Sequence, residues 1–181
     1  MTKQNNVFIA TSLDGYIADK NGGLDWLNTI PNPDNLDMGY TNFTSNIDAL
    51  VMGRTTFETV CGFGIEWPYT MPVFVLSNTL TDIPKNYKNN KIYIINGPLT
   101  SVLNQIHNKG YYNLYIDGGK TIQNFLKEDL IDQLIITTIP KLLGGGVSLF
   151  SELPSELNFD CVKTELFSNH IVQNTFVRIK T

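Results

Sequence analysis

Short apolar runs separated by helix-like segments limit the folds open to this chain more than any other feature. The runs predicted to be strands are residues 6–12, 49–53, 72–77, 91–96, 113–117, 133–139, 158–167 and 171–179. Several are apolar without interruption, which is typical of strands buried on both faces of a parallel sheet. Helices are predicted between them at 37–47, 55–60, 99–110 and 119–128. This alternation predicts an α/β domain with a mainly parallel central sheet.

The last third of the chain has a different pattern. Little helix signal follows Leu149, and two strand-like runs are separated only by a short polar stretch at Ser168–Asn169. We expect an antiparallel hairpin that closes one edge of the sheet.

Composition narrows the class of protein. A chain of 181 residues suits a single domain over residues 1–181. The net charge of −4 disfavours nucleic acid or an anionic membrane as the main partner. No apolar run approaches the roughly 20 residues of a membrane helix, and the N-terminus lacks a secretory signal, so a cytoplasmic protein is expected. Cys61 and Cys161 are too few for a disulfide framework or a zinc site, and both are expected to be reduced and buried.

A Gly-Gly-Lys-Thr sequence at residues 118–121 resembles the end of a P-loop. A true P-loop needs a further glycine at position 114, where the chain has leucine inside the predicted strand. A dinucleotide fingerprint is also absent, because the candidates beginning at Gly62 and Gly144 lack its third glycine. What remains is a strand, two glycines and a helix start, which suits either a phosphate or an ordinary tight turn.

Two other predicted strands end in a similar way. Gly53, Arg54 and Thr55 follow one strand at the start of a helix, for which Thr55 and Thr56 are candidate caps. Arg54 is one of two arginines in the chain and suits a phosphate, although it also suits a plain surface position. Ser77 follows the next strand. Since ligands of open α/β sheets bind at the carboxyl ends of strands, three such ends predict a ligand with separated phosphates, such as NADPH.

The segments VFIATSLDGYIADKNGGLDWL, DALVMGRTTFE, PVFVLSN, LYIDGGKTIQNFL and IPKLLGGGVSLF occur in an order that resembles the dihydrofolate reductase-like superfamily. The chain is most similar to the reductase domain of the bifunctional deaminase-reductase of riboflavin biosynthesis. The zinc-deaminase signature of the bifunctional enzyme is absent from the sequence. The resemblance implies the dihydrofolate reductase-like three-layer fold, a mixed but mostly parallel sheet with flanking helices, and a homodimer.

The resemblance also implies roles for individual residues. NADPH would be bound by Ala10 and Thr11 near the nicotinamide, by Gly53, Arg54 and Thr55 at the adenosine-phosphate side, by Ser77 and Asn78 at the 2′-phosphate, and by Gly118, Gly119, Lys120 and Thr121 at the pyrophosphate. Asp14, Gly15 and Trp26 would line the substrate side, and Gly144 to Gly146 would form a loop near the cofactor. No metal is expected.

Two carboxylates are candidates for the proton route. Asp37 lies seventeen residues before Arg54, a spacing that resembles the acid of dihydrofolate reductases, but it also suits a helix cap. Asp14 suits the proton route or a turn. A folate tail would need an arginine in residues 64–74, and none is present, which disfavours dihydrofolate reductase.

Three hypotheses follow from these residues. The first is an NADPH-dependent reductase of a small heterocycle, resembling 5-amino-6-(5-phosphoribosylamino)uracil reductase. The second is a dihydrofolate reductase, and the third is a nucleotide-binding protein without turnover. The substrate stays open, because Tyr16 stands where a phosphorylated substrate favours a basic residue, although Lys20 is near. In either enzyme the cofactor carries the hydride, while the protein supplies alignment and the proton.

Overall fold

The computed structural model describes residues 2–29, 36–168 and 170–180. The strands are β1 (Gln4–Ser12), β2 (Tyr16–Ala18), β3 (Ala49–Gly53), β4 (Val73–Leu76), β5 (Ile92–Ile95), β6 (Asn113–Asp117), β7 (Gln133–Ile139), β8 (Val147–Ser148), β9 (Phe159–Phe167) and β10 (Ile171–Arg178). The helices are α1 (Tyr40–Thr44), α2 (Arg54–Gly62), α3 (Leu99–Asn108) and α4 (Gly119–Lys127), with short 3-10 segments at Asp25–Thr29 and Lys85–Tyr87.

The central sheet has the strand order β5-β4-β3-β6-β1-β7-β10-β9. Neighbouring strands from β5 to β7 are parallel, whereas β10 is antiparallel to both β7 and β9. The expected fold class, a mostly parallel sheet with flanking helices and a C-terminal antiparallel hairpin, is therefore confirmed. Of the turn predicted at Ser168–Asn169, residue 169 lies outside the described residues.

Helices cover both faces of the sheet because the parallel strands are apolar on both sides. On one face, α3 and α4 contribute Val102, Ile106, Ile122 and Phe125 to the larger core cluster. On the other face, α1 and α2 pack against a second cluster that includes Phe57. The sheet is thus the middle of three layers.

Strands β3, β4 and β6 end level with one another. Gly53 at the end of β3 pairs with Leu76 at the end of β4, and Met52 pairs with Asp117 at the end of β6. The three strand ends singled out in the sequence consequently lie side by side at one edge of the sheet.

A second, two-stranded sheet was not expected. Strand β2 pairs antiparallel with β8, and the backbone N–H of Leu149 donates to the carbonyl of Gly15 at 3.0 Å. Both strands are too short for a periodic signal, and they lie far apart in sequence. Their pairing joins the SLDGYIA turn to the LLGGG loop.

Two expectations about local structure were wrong. Helix α2 begins at Arg54 with Gly53 as its N-cap and no side-chain capping bond, so Thr55 and Thr56 do not cap it. Cys161 is exposed rather than buried, because it lies on β9, which forms the edge of the sheet; Cys61 is partly buried, and both are free thiols.

The turn from β6 into α4 touches the turn from β3 into α2. Gly118, the N-cap of α4, has a φ of 90°, and a Cβ at this position would overlap the Thr56 hydroxyl. A Cβ on Gly53 would lie 2.9 Å from the Thr121 hydroxyl. Glycine is required at 118 both by the backbone conformation and by the closeness of the neighbouring turn.

We expect Gly118→Ala to lower the free energy of unfolding by about 2–4 kcal/mol, since backbone strain and overpacking both act at this position. Urea unfolding without added ligand would measure the change. Gly62→Ala is the matched control, because a Cβ there meets nothing within 4 Å. Equal stability of the two variants would contradict the expected contact with Thr56.

Candidate active site

Two helix N-termini converge at the carboxyl edge of the sheet. Helices α2 and α4 begin at Arg54 and Gly119, with Gly53 and Gly118 as their N-caps, and neither cap residue makes a side-chain capping bond. The partial positive charge of each helix end favours an anion. The position that a Cβ would take is occupied by a threonine hydroxyl at each glycine, Thr56 at Gly118 and Thr121 at Gly53, so the two turns lie in contact. The two adjacent helix ends form a cradle whose charge suits the phosphate groups of a nucleotide cofactor.

Arg54 lies beside this cradle, and two nitrogens of its guanidinium make hydrogen bonds. Its Nε donates to Glu58 Oε1 and its Nη1 donates to Thr79 Oγ1, each at 2.7 Å. The side chain is still 47% exposed. Since Thr79 follows β4 and Arg54 follows β3, the structure brings Arg54 close to the segment that contains Ser77 and Asn78.

Ser77 has a defined structural contact of its own. Its Oγ accepts from the backbone N–H groups of Thr79 and Leu80, at 3.1 and 2.8 Å, and so forms the turn after β4. Asn78 is exposed on the same turn. The two residues predicted to contact a 2′-phosphate therefore border the guanidinium of Arg54.

The small sheet formed by β2 and β8 packs against the start of α4. A Cβ on Gly119 would lie 2.8 Å from Ile17 Cδ1 and 3.3 Å from Val147 Cγ1. Lys120 is exposed on the first turn of α4, whereas Thr121 is buried against Gly53. The small sheet therefore packs directly against the start of α4, at the residues predicted to bind the pyrophosphate.

Asp14 fastens the turn after β1 to the glycine-rich loop. Its Oδ1 accepts from the Ser12 hydroxyl at 2.6 Å, and its carboxylate also accepts from the backbone N–H groups of Leu143 and Gly144, at 3.1 and 2.8 Å. The Ser12 bond is the main reason that the pKa of Asp14 falls to about 2. An acid of this strength stays ionised at neutral pH, which suits loop fastening better than proton donation. Gly15 follows in the same turn.

Asp37 is exposed at the start of α1. Its carboxylate accepts from the backbone N–H groups of Gly39 and Thr41, both at 2.9 Å. A bond with the Thr41 side chain, and then these backbone bonds, lower the pKa of Asp37. These contacts are those of a capping residue, the alternative that the sequence left open, and they favour the ionised form.

Asp117 was not among the site residues predicted from the sequence, in which it is only the last residue of a predicted strand. It lies two residues after Tyr115 and so on the same face of β6, half-buried on the side of the second core cluster, against which Tyr40 and Tyr69 pack. Burial raises the pKa of Asp117 to about 6, against the opposing effect of the Gly118 N–H, which donates to Oδ1 at 2.8 Å. The sequence feature that could have identified it is an acidic residue at the end of an otherwise apolar strand.

Trp26, for which the resemblance implies a place on the substrate side, is 5% exposed and packs with Ile139 and Ile171. Ala10 packs against the same cluster, and Thr11 is buried. The indole Nε1 of Trp26 has no acceptor within the described residues. A buried donor without a partner is costly, so this N–H favours an acceptor supplied by a ligand or water.

Neither a metal site nor a membrane span is found in the part of the chain that the structure describes. No group of three or more His, Cys, Asp or Glu side chains there is arranged to hold a metal ion. No helix in the same residues is long and apolar enough to cross a bilayer.

Comparison with known proteins identifies the family. The model of the RibD C-terminal domain matches residues 6–173. The chain belongs to the RibD C-terminal domain family. Two proteins of Bacillus subtilis (strain 168) are similar over most of their length. YwjB is 35% identical over 182 residues, covering 98% of this chain and 99% of YwjB. YyaP is 28% identical over 179 residues, covering 91% of this chain and 89% of YyaP.

Solved structures of similar proteins share the fold. A Shewanella sp. PV-4 protein named for riboflavin biosynthesis is 52% identical, with a TM-score of 0.94 over 98% of this chain and 99% of that one. The Thermotoga maritima deaminase/5-amino-6-(5-phosphoribosylamino)uracil reductase is 17% identical, with a TM-score of 0.76 over 98% of this chain and 57% of that one. Enterococcus faecalis dihydrofolate reductase is 18% identical, with a TM-score of 0.64 over 98% of this chain and 97% of that one. The resemblance inferred from the motifs is confirmed.

The raised pKa of Asp117 predicts a cost in stability. In the unfolded chain the carboxyl ionises near its usual 3.8, so above that pH the folded state binds more protons than the unfolded state. Stability should therefore fall as the pH rises from about 4 to 6. Asp117→Asn keeps an acceptor for Gly118 and should be more stable than the wild type by about 2–3 kcal/mol at pH 8, with little difference near pH 4.

Urea unfolding at the two pH values would measure this. Asp82→Asn is the control, because the pKa of Asp82 is lowered by its bond to Lys88, and this variant should gain no stability at pH 8. A gain for Asp82→Asn equal to that of Asp117→Asn would contradict the assignment.

Proposed function

We propose that the protein is an NADPH-dependent reductase that transfers a hydride to a C=N or C=O bond of a small heterocycle. The observation that carries the proposal is the arrangement at one sheet edge. Two helix N-termini without side-chain caps meet there beside Arg54, and Asp117 lies half-buried at the end of β6, the strand between β3 and β1. Membership of a reductase-domain family supports an oxidoreductase.

The residues at this edge fit NADPH by their chemistry. The first turns of α2 and α4 would bind the phosphates, with Lys120 adding positive charge, and Arg54 would bind the 2′-phosphate between Ser77 and Thr79. Ala10 and Thr11, near Trp26, would lie at the nicotinamide end. When bound, NADPH supplies the hydride, and the small sheet of β2 and β8, which packs against Gly119, would help to exclude water from the start of α4.

Asp117 is our candidate for the proton donor. As hydride adds to the carbon, the nitrogen or oxygen of the reduced bond must gain a proton, which the Asp117 carboxyl would donate and later regain from solvent. A pKa of about 6 leaves roughly one tenth of the groups protonated at pH 7, which is close to the range that suits general acids. Asp14 and Asp37 would then position the turns around the site.

The names of the relatives suggest a substrate class. The Thermotoga protein is a 5-amino-6-(5-phosphoribosylamino)uracil reductase, and the Shewanella protein is named for riboflavin biosynthesis. We infer a related pyrimidine for this protein, acting as a homodimer in the cytoplasm. Dihydrofolate has less support, because Arg178 is held by Asp129 through two bonds of 2.7 and 2.9 Å at the opposite edge of the sheet.

Arg54→Ala tests the cofactor assignment. The variant should bind NADPH about 10–100-fold more weakly, because charge-assisted hydrogen bonds to a phosphate contribute about 1.5–3 kcal/mol. NADH affinity should not change. Calorimetric titration with both nucleotides would measure this, with Lys127→Ala at the other end of α4 as the matched loss of charge. Unchanged NADPH affinity in Arg54→Ala would contradict the assignment of Arg54 to the 2′-phosphate of NADPH.

Asp117→Asn tests the proton donor. With the riboflavin-pathway pyrimidine as substrate, turnover of the wild type should decline as the pH rises above about 6, since the acid loses its proton. The variant should lose about 10²–10⁴-fold in kcat and the pH dependence with it, while NADPH still binds. A variant that keeps both the rate and the pH profile of the wild type would show that another group donates the proton.

A further inference from the structure

A cleft of about 280 Å³ lies between helix α1 and the half of the sheet formed by β1, β7, β10 and β9. Phe8, Ile135 and Thr175 form its floor in one row, since Ile135 pairs with both of the others. Seven of its fifteen lining residues are asparagine or glutamine. The cleft is therefore lined mainly by neutral hydrogen-bonding groups.

Asn6, at one end of the cleft, is a buried amide with a fixed orientation. It is 4% exposed, and its Nδ2 donates to Asn113 Oδ1 at 2.6 Å and to the carbonyl of Leu114 at 3.2 Å. Because a backbone carbonyl can only accept, the amide cannot turn over without losing a hydrogen bond. The Asn6 nitrogen is thus committed to the fold, and the Oδ1 atom is left over.

Gln173, at the other end of the cleft, is held in the same manner. It is also 4% exposed, and its Nε2 donates to the carbonyl of Met38 at 3.0 Å and to Thr137 Oγ1 at 2.8 Å. Both donors of this amide are used within the fold, so its Oε1 is the atom left without a partner.

The two amide oxygens are unpaired but not sealed off. Within the described residues, neither Asn6 Oδ1 nor Gln173 Oε1 accepts a hydrogen bond. The fully enclosed side-chain atoms that lack a partner there are Asn5 Oδ1 and Trp26 Nε1, so the two amide oxygens stay accessible through the cleft that their residues line. A nearly buried acceptor without a partner favours a ligand that brings an O–H or N–H group.

The positions of the two acceptors set the shape of such a ligand. Asn6 pairs with Gln133 on β7, whereas Gln173 pairs with Thr137 on the same strand. The acceptors are therefore four residues apart along the strands and two strands apart across the sheet. Strand geometry places their Cα atoms about 16 Å apart. A ligand that reaches both is elongated and crosses the row of Phe8, Ile135 and Thr175.

The sides of the cleft are polar without a net charge. The side chains of Asn42 on α1 and Gln133 on β7 make no hydrogen bond within the described residues, so each offers both donors and an acceptor. Lys163 and Glu165, on the edge strand β9, pair with each other at 2.7 Å. A charged ligand would gain no free counterion here and would lose hydration, whereas hydroxyl groups can both donate and accept.

We propose that this cleft binds a neutral, elongated polyol of the size of a short sugar chain, with hydroxyls that donate to Asn6 Oδ1 and Gln173 Oε1. The residues that line the cleft include none of those assigned above to NADPH or to proton transfer. The site is therefore a second one, and it does not depend on the proposed reductase function.

The matched probes are cellobiitol, which is neutral, and cellobionate, which has a carboxylate in place of one terminal alcohol. In an NMR titration, cellobiitol should shift the side-chain amide signals of Asn6 and Gln173. It should bind about 3–10-fold more tightly than cellobionate, because the carboxylate is desolvated without a counterion. Saturating NADPH should leave the cellobiitol affinity unchanged.

Variants at the sides and floor of the cleft test the contacts without removing the buried amides. Asn42→Ala and Gln133→Ala should each weaken cellobiitol about 2–10-fold, as expected for the loss of one hydrogen bond. Thr175→Trp should abolish binding by filling the floor. Asn108→Ala is the matched control, because this exposed amide ends α3, which packs in the core cluster on the opposite face of the sheet.

Four results would each overturn the proposed site. They are the absence of cellobiitol-dependent shifts at Asn6 and Gln173, cellobionate binding as tightly as cellobiitol, competition by NADPH, and unchanged binding in Thr175→Trp. Shifts of the same signals with protein concentration alone would show that a second copy of the chain covers the cleft, which also contradicts it. Failure of NADPH to bind the wild type would remove the reductase proposal and leave this one standing.

Discussion

The contact between the turns at Gly53 and Gly118 is the constraint on which the site depends. Because each turn has a glycine where the other turn places a threonine side chain, the helices that follow β3 and β6 can begin side by side. The two helix ends then point at a common volume, and their partial charges add. Larger residues at these positions would separate the helices and divide one anion site into two weaker ones.

The carboxyl edge of the sheet has two regions that differ in electrostatic character. Toward β4, helix ends and Arg54 present positive charge close to water, where phosphates can exchange their hydration for N–H groups. On the face of the sheet covered by α1, Asp117 lies on the side of the aromatic rings of the second core cluster, where ionisation is costly. A cofactor with charged groups at one end and a neutral ring at the other would match both regions without desolvating its phosphates at the acid.

The sequence alone was enough to predict the structural features that depend on the local pattern of apolar and polar residues. The apolar runs gave the strands of the central sheet to within one or two residues, since burial on both faces leaves a continuous signal. It did not predict the β2–β8 pairing or the exposed Cys161, which depend on contacts between distant segments. The raised pKa of Asp117 could not be predicted either, because the rings near it come from α1 and from the loop before β4. Asp14 and Asp37 were identifiable as acids near the site, but their hydrogen bonds to loops were visible only in three dimensions.

Gly119 opens α4 with no side chain of its own, and Ile17 and Val147 lie against it. The start of the helix is therefore covered by two side chains from a small sheet outside the main one. Exchanging either for a larger or smaller apolar residue would alter this contact while the central strands keep their packing. The surroundings of the helix end can in this sense change independently of the main core.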